Sequence, residues 1–359
     1  MIQDSPKYQD FALILTWPDA TIRGDEKWMM FFKKIGIVKN LNFKVGHTGV
    51  VIVDHRNGNM QFYDFGRYIT PRGYGRARSA SSDPLLNLTL KAEIKEGKIT
   101  NLREIAAYFE TLKPAMYGEG KLMFAVVKGL DFTQAKAFGD YWVEKGTYPY
   151  GAVARNNNNC SRFITRMLIK ATEKYTYWHA VNLPETIKSS PVSNLVNTAG
   201  DDGLFSYTPE QGLVNFTMNR FQSFWFLIKQ LGDNVFQKKA ELLPPDHNIG
   251  AMRYRSKPIT VPKMATYLGG VGDGAWYTVQ HENNKNFVIK RFTTAGKLEY
   301  VVLGETSDNF DPKLEFEITY DSHLMFTHIL QKGRKIKIQH TKQLPNSSFT
   351  FAQTFERYA

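Results

Sequence analysis

Hydrophobic residues in the first half of the chain fall into short, nearly continuous runs, which are typical of buried strands. The clearest pair is GVVIVD (residues 49–54) and MQFYDFGRY (60–68), which flank the turn sequence HRNGN. An Asn-Gly pair between two β-rich runs predicts a hairpin. Further strands are predicted at 11–17, 85–94 and 121–130.

Between these runs, apolar residues recur at helical spacing. Helices are predicted at 25–40, at 101–112 with Asn101 as N-cap, and at 131–146 between Asp131 and Gly146. Another begins at Cys160 and runs to about residue 175. Residues 183–210 are rich in Pro, Ser, Asn and Gly and predict a linker, after which 208–232 predicts a long helix with a Thr208–Gln211 capping box.

From residue 256 onward the pattern changes to short strands separated by turns. Alternation such as KIKIQ indicates that one face of these strands meets water. We therefore predict an α+β protein in three parts. An antiparallel sheet packed on helices occupies 1–200, a helical connector 201–255, and a small antiparallel β-domain of unknown role 256–359.

Composition then narrows the class of protein. Hydrophobic residues make up 42% and charged residues 22%, as in ordinary globular proteins, and no apolar run is long enough for a membrane span. The first 20 residues lack the features of a secretory signal. The single cysteine, Cys160, excludes an intramolecular disulfide and a multi-thiolate zinc site. We expect a cytoplasmic protein with no metal and no cofactor; its oligomeric state stays open.

The net charge of +12 raises the question of an acidic partner. The densest basic group, Arg72, Arg76 and Arg78, lies in PRGYGRARSASSDP, where Gly, Ser and Pro indicate a loop. Tyr68 and Tyr74 nearby could stack on bases. Because the remaining basic residues are dispersed, a solvated basic face is the favoured interpretation, and nucleic-acid binding is not expected.

Two residues suggest chemistry. Cys160 opens a predicted helix, where the helix N-terminus favours a thiolate, although a lone cysteine is also typical of a buried apolar position. His47 begins a strand beside Gly46 and Gly49, which leave room around an imidazole, although it too could be a structural residue. His55, in the hairpin turn, is expected to be solvated.

Several motifs together resemble one family. GHTGVVIVDHRNGNMQFYDFGRY is similar to the histidine-bearing hairpin of the circularly permuted papain-like hydrolases, the branch of the NlpC superfamily that includes YiiX-like proteins and the lecithin retinol acyltransferase group. In that branch the catalytic histidine precedes the cysteine. The matching pieces, within about 10–180, are His47-Thr48-Gly49, Asp64, Gly146-Thr147-Tyr148-Pro149-Tyr150 and Asn159-Cys160-Ser161-Arg162-Phe163.

The resemblance implies a cysteine hydrolase that cleaves an amide bond in a peptide or muropeptide-like substrate. Cys160 would be the nucleophile, His47 the base, and Asp64 the orienting acid, with Tyr63 as a less favoured third residue. The Cys160 N–H and the Tyr150 hydroxyl would bind the oxyanion. Two alternatives stay open, a non-catalytic binding protein that keeps the papain-like cleft, and a thiol acyltransferase.

Overall fold

The computed structural model describes residues 8–24, 26–151, 156–173, 190–200, 203–246, 251–254, 256–283 and 285–345. The chain divides into two compact units. Unit 1 consists of Met1–Gly66, Gly73–Ala80 and Leu85–Asn248. Unit 2 consists of Arg67–Arg72, Ser81–Pro84 and Ile249–Ala359. Among the described residues, no helix is both long and apolar enough to cross a membrane.

Unit 1 is built on an antiparallel sheet of eight strands. Along the chain, the strands of this unit are β1 (Asp10–Trp17), β2 (Ile22–Arg23), β3 (Asn42–Phe43), β4 (His47–Val53), β5 (Met60–Gly66), β6 (Tyr74–Arg78), β7 (Ile94–Lys95), β8 (Lys98–Ile99), β9 (Leu122–Leu130), β10 (Tyr148–Pro149), β11 (Leu204–Thr208) and β12 (Gly212–Phe216). The order in the large sheet is β10-β6-β5-β4-β1-β9-β11-β12; β2 pairs with β3 and β7 with β8.

Seven described helices accompany the strands of unit 1. They are α1 (Lys27–Lys34), α2 (Leu102–Leu112), α3 (Phe132–Lys145), α4 (Cys160–Ala171), α5 (Pro191–Thr198), α6 (Arg220–Gly232) and α7 (Gln237–Ala240), with a short 3-10 turn at Pro84–Leu86. Helix α2 packs on one face of the large sheet. Helices α3 and α4 pack against strands β4, β5 and β6, and α5 packs against α4, β1 and β9.

The alternation of side chains in the hairpin decides what each face of the sheet carries. Val51, Val53 and Phe62 point to the face that α2 covers, where they join one buried core. Phe65 points to the other face and stacks on Phe163 of α4, with ring centroids 6.0 Å apart. The fold class is therefore as predicted: α+β, with an antiparallel sheet packed on helices.

Three local predictions were wrong. Residues 85–94 form no extended strand; the described structure has the 3-10 turn there, and β7 begins at its end. The supposed basic loop contains β6, in which Arg76 and Arg78 are buried; β6 pairs with β5, where Arg78 lies opposite Asp64. The solvated basic face is therefore not found at these two positions.

The third error concerns the predicted linker at 183–210 and the predicted helical connector at 201–255. The described portion of 183–210 holds α5 and β11, and 208–232 is a β-hairpin arm followed by α6. The working capping box is Asn219 with Gln222, not Thr208 with Gln211. Residues 201–255 are thus not a purely helical connector, because β11 pairs with β9 of the large sheet and β12 pairs with β11.

Unit 2 is a seven-stranded antiparallel sheet that is nearly closed into a small barrel. Its strands are β13 (Thr266–Gly269), β14 (Gly274–Asn283), β15 (Asn286–Thr293), β16 (Leu298–Glu305), β17 (Glu317–Ile318), β18 (Phe326–Gln331) and β19 (Arg334–Leu344), in the order β13-β14-β15-β16-β19-β18-β17. Phe287, Ile289, Val302 and Ile338 form part of its core. The small antiparallel β-domain predicted from the sequence is present.

Candidate active site

Cys160 is the first residue of α4 and is 5% exposed. The helix begins here because the Asn159 side chain caps it, accepting a hydrogen bond of 2.8 Å from the Arg162 N–H. The Asn194 side chain of α5 donates to the Ser161 carbonyl at 3.0 Å, so a second helix fixes the start of α4. The thiol therefore lies at a rigid helix N-terminus, which favours its charged form.

His47 is the first residue of β4 and is 6% exposed. Its ring stacks on Trp17 of β1, with centroids 6.5 Å apart and planes 11° apart. The sequence suggested that the adjacent glycines leave room around the imidazole, but the structure gives them another role. Gly46 has a positive φ of 85°, and a Cβ on Gly49 would lie 2.5 Å from the Phe62 ring. Gly46 instead allows the backbone conformation before β4, and Gly49 allows the Phe62 ring to pack closely on that strand.

The hairpin places an acid beside the histidine. Gly49 pairs with Asp64 across the β4–β5 ladder, so His47 is the diagonal neighbour of Asp64 on the same face. His47 Nε2 lies 3.0 Å from Asp64 Oδ2. The Cys160 side chain lies within hydrogen-bonding reach of the same ring. The structure thus brings His47, Asp64 and Cys160 together.

The two other sequence candidates lie elsewhere. Tyr63 points to the opposite face, where its hydroxyl donates to Asp140 at 2.7 Å, so Asp64 and not Tyr63 contacts His47. The Tyr150 ring stacks on Phe65, with centroids 6.1 Å apart, and Phe65 also faces away from Asp64. Tyr150 therefore has a packing function in the structure, and its role as an oxyanion donor stays a prediction.

A buried arginine completes the site, and the sequence analysis missed it. Arg78 on β6 binds Asp64 with both arms of its guanidinium, Nε to Oδ1 at 3.1 Å and Nη2 to Oδ2 at 2.6 Å. It also donates to the Ala115 carbonyl at 3.1 Å and lies over the Tyr117 ring. The signal was present in YGRAR, where charged and small residues alternate with the period of a strand.

The charges of the site reinforce one another. Burial by itself raises the pKa of Asp64, but the charge of Arg78 and the hydrogen bond to His47 outweigh it and lower that pKa. Burial lowers the pKa of His47, but hydrogen bonds to Asp64 and Cys160 raise it to about 9. Burial raises the pKa of Cys160, whereas the contacts with His47, the Ser161 hydroxyl and the Thr48 N–H lower it overall. These shifts act together to favour a thiolate–imidazolium pair.

His55 is not simply solvated in its turn. Its Nδ1 lies 2.6 Å from Asp10 Oδ1, and one ligand atom each from Asp10, Asp54 and His55 lie within 4.8 Å of one another. The carboxylates already accept hydrogen bonds from Arg56, Asn57 and backbone N–H groups. This arrangement explains the turn without an ion.

Fold and site together define an α+β protein with a buried Cys–His–Asp constellation. Residues 12–177 match the family model described as Type VI secretion system effector TseH-like. Residues 265–341 match the model of the DUF6695 C-terminal domain. Both parts of the chain are thus similar to described families, whereas the sequence motifs indicated a family for the first part only.

Among solved structures, the crystal structure of the type VI secretion system effector TseH is 18% identical, with a TM-score of 0.40, and the match covers 57% of this chain and 96% of that one. The search of curated proteins finds no match.

Proposed function

We propose that the chain is a cysteine hydrolase that cleaves an amide bond in a peptide or muropeptide-like substrate. The observation that supports it most is the hydrogen-bonded series Cys160–His47–Asp64, buried at the junction of a helix N-terminus and a strand start. Permutation of the papain-like fold is part of this proposal, since the histidine precedes the cysteine in the sequence. Arg78 acts on this series as a positioning residue, because it contacts Asp64 and not the thiol.

The geometry supports a two-step reaction. The Cys160 thiolate attacks the substrate carbonyl carbon, and the resulting oxyanion receives a hydrogen bond from the Cys160 N–H at the start of α4. The imidazolium of His47 gives its proton to the leaving amine as the C–N bond breaks, which leaves a thioester. His47, now neutral, takes a proton from water, whose oxygen attacks the thioester and releases the acid and the Cys160 thiolate, which restores the thiolate–imidazolium pair.

The match to TseH-like effectors supports a biological setting for this chemistry. We propose that the chain acts as a type VI secretion effector, as the name of that family describes. A cytoplasmic location, expected from the sequence, would then apply to the producing cell before export.

Two experiments test the hydrolase proposal. Purified protein is incubated with peptides and with muropeptides, and new amines are quantified. We expect release by the wild type, and loss of about a thousandfold or more in Cys160→Ala and His47→Ala, since a nucleophile and its base act as a unit. Absence of release from every amide substrate would contradict hydrolysis. A trapped acyl-enzyme that transfers to an added amine but not to water would indicate an acyltransferase.

Reactivity of the thiol tests the site independently of substrate. With iodoacetamide at about pH 6, Cys160 should be alkylated readily, whereas an ordinary thiol is almost fully protonated there. His47→Ala should slow the reaction and His55→Ala should not. Because the chain has one cysteine, labelling can be followed on the intact protein. Equal rates in wild type and His47→Ala would favour a non-catalytic binding protein.

A further inference from the structure

Exposed apolar side chains are concentrated on helix α6 of unit 1. Phe221, Phe224, Trp225 and Ile228 follow the spacing of one helix face, and that face points to solvent. Phe221 is 66% exposed and Trp225 57%. Ser223, on the opposite side of the helix, is buried, and Leu231 packs on a small apolar core. The exposed stripe is therefore additional to what α6 needs for folding.

Helix α1 carries a second exposed stripe, formed by Trp28, Phe31 and Ile35 at positions i, i+3 and i+7. Met29, Met30 and Phe32 of the same helix pack on a small core around Val38, Leu41 and Phe43. Leu231 of α6 packs on that same core. Residues 26–43 and 219–246, which hold both helices, are called the aromatic lobe below.

Buried amides hold the two parts of the aromatic lobe together. The Asn234 side chain donates to the carbonyls of Asn40 and Asn42 at 2.7 and 2.8 Å, and the Asn40 side chain donates to the Ala240 carbonyl at 3.1 Å. These bonds replace water for groups that would be costly to bury unpaired. The lobe is therefore an ordered surface, and its apolar stripes are exposed to solvent in the folded state.

The aromatic lobe is also strongly basic. Residues 26–43 and 219–246 contain eight lysines and arginines and four acids. Lys33 and Lys239 have acidic partners, Asp246 and Asp233, within the lobe. Exposed Trp and Phe side chains flanked by Lys and Arg are the composition of surfaces that lie in the interfacial layer of an anionic bilayer.

We propose that the aromatic lobe binds the surface of anionic phospholipid bilayers, with the α6 stripe at the level of the headgroups. The binding is peripheral, since no described helix could span a membrane. A second copy of the chain is a poorer occupant, because two like-charged lobes would repel each other. This property does not depend on Cys160 or on the hydrolase proposal.

The test is flotation of the full chain with vesicles of neutral phosphatidylcholine, with or without phosphatidylglycerol. The wild type and Cys160→Ala should both float with the anionic vesicles and stay behind with the neutral ones. The double variant Phe221→Ser/Trp225→Ser should lose roughly tenfold or more of its partitioning, since two large apolar side chains no longer insert. Lys229→Glu/Lys238→Glu should weaken binding at low salt, where surface charges are least screened.

Matched controls alter equivalent side chains outside the aromatic lobe. Ile259→Ser changes a fully exposed apolar residue of unit 2, and Lys297→Glu/Lys313→Glu changes two exposed lysines there; both should float like the wild type. Unfolding midpoints confirm that each variant is folded, and the lysine variant leaves the apolar residues intact. Equal flotation of Phe221→Ser/Trp225→Ser and wild type would overturn the proposal.

Two other results would also overturn it. Failure of the wild type to bind any vesicle would leave an acidic protein surface as the occupant. A concentration-dependent dimer in analytical ultracentrifugation, lost in Phe221→Ser/Trp225→Ser, would assign the stripe to a second copy of the chain.

Discussion

Asp64 is the residue on which the charges of the site converge. Its carboxylate is fully buried and binds both Arg78 and His47, which share the Oδ2 atom. A buried pair of this kind adds little net stability by itself, because desolvation offsets the attraction, but removing one partner strands the other charge. Its value is therefore positional: it fixes the ring of His47 and favours the protonated form.

Replacing Asp64 with Asn tests this view. Arg78 would lose its ionic partner at a buried position, so the free energy of unfolding should fall by about 3–5 kcal/mol. The pKa of His47 should fall from about 9, because the acceptor of its Nε2 hydrogen bond loses its charge. Denaturant titration and alkylation of Cys160 at about pH 6 measure the two effects.

The matched control is Asp140→Asn. Asp140 accepts a hydrogen bond from Tyr63 on the other face of the sheet, so its loss should leave the alkylation rate unchanged. If Asp64→Asn is alkylated as fast as the wild type, Asp64 does not support the imidazolium.

The change of stability with pH distinguishes the contribution of the Cys160 thiol from that of the His47 ring. The pKa of His47 is raised to about 9 and that of Cys160 is lowered. In the folded ion pair the two groups share one proton, and in the unfolded chain at pH 7–8 a neutral thiol and a neutral ring also hold one. By linkage, this pair should contribute almost no slope to stability across that range.

In Cys160→Ala the proton that the ring gains on folding is no longer offset by the proton that the thiol loses. The hydrogen bond and charge of Asp64, which act to raise the pKa of His47, remain in this variant, so the stability that the ring contributes is greatest below about pH 6.5. It is lost as the pH rises through the folded pKa of His47. Unfolding free energies measured from about pH 6 to pH 9 should therefore decline more steeply in Cys160→Ala than in the wild type. Parallel curves would show that the thiol and the ring do not exchange a proton.

At the scale of elements, the N-terminus of α4 both positions and activates the thiol. Asn159 caps the helix by accepting from the Arg162 N–H, so the cap and the nucleophile are adjacent residues. The same residue therefore controls helix stability and the field at Cys160.

Two substitutions at Asn159 should separate these effects. Asn159→Ala removes the cap and should cost about 1 kcal/mol of stability. Asn159→Asp keeps a capping oxygen but adds a negative charge beside the thiolate, so it should raise the pKa of Cys160 and slow alkylation at about pH 6. Asp131→Asn, at the N-cap of α3, is the control that should affect neither the thiol nor its rate. Faster alkylation of Asn159→Asp would contradict this account.

At the scale of the whole molecule, unit 2 is not a continuous piece of chain. It includes Arg67–Arg72 and Ser81–Pro84 from the first half of the sequence. Ile69 is buried in its core beside Leu268 and Tyr277. Asp83 Oδ1 lies 3.2 Å from Nη1 of the buried Arg291. A fragment that begins near residue 250 would lack these groups.

We therefore expect residues 249–359 expressed alone to lose cooperative unfolding. The fragment would leave Arg291 without its Asp83 partner and the site of Ile69 open to water. Near-UV circular dichroism, which reports on the packing of Trp276, and calorimetry measure this. The full chain provides the reference signal. A fragment with native-like dichroism and a sharp thermal transition would show that the two inserted segments are dispensable.

Much of this protein follows from local patterns in its sequence. The β4–β5 hairpin, the strand at 10–17, helices α2 and α3, and the start of α4 at Cys160 are visible because turn residues, caps and hydrophobic period act over a few neighbouring positions. The match of His47 and Cys160 to a family pattern pointed to the same pair that the fold brings together.

Tertiary structure decided the rest. Asp64 and Tyr63 are neighbours in sequence, and only the pairing of Gly49 with Asp64 shows which of them faces His47. Arg78 resembled a solvated loop residue, because its buried partner lies on another strand. The inserted segments of unit 2 and the strand β11 are fixed by contacts with distant parts of the chain. The identity of a distant partner leaves no signal in the local sequence, whereas capping and alternation do.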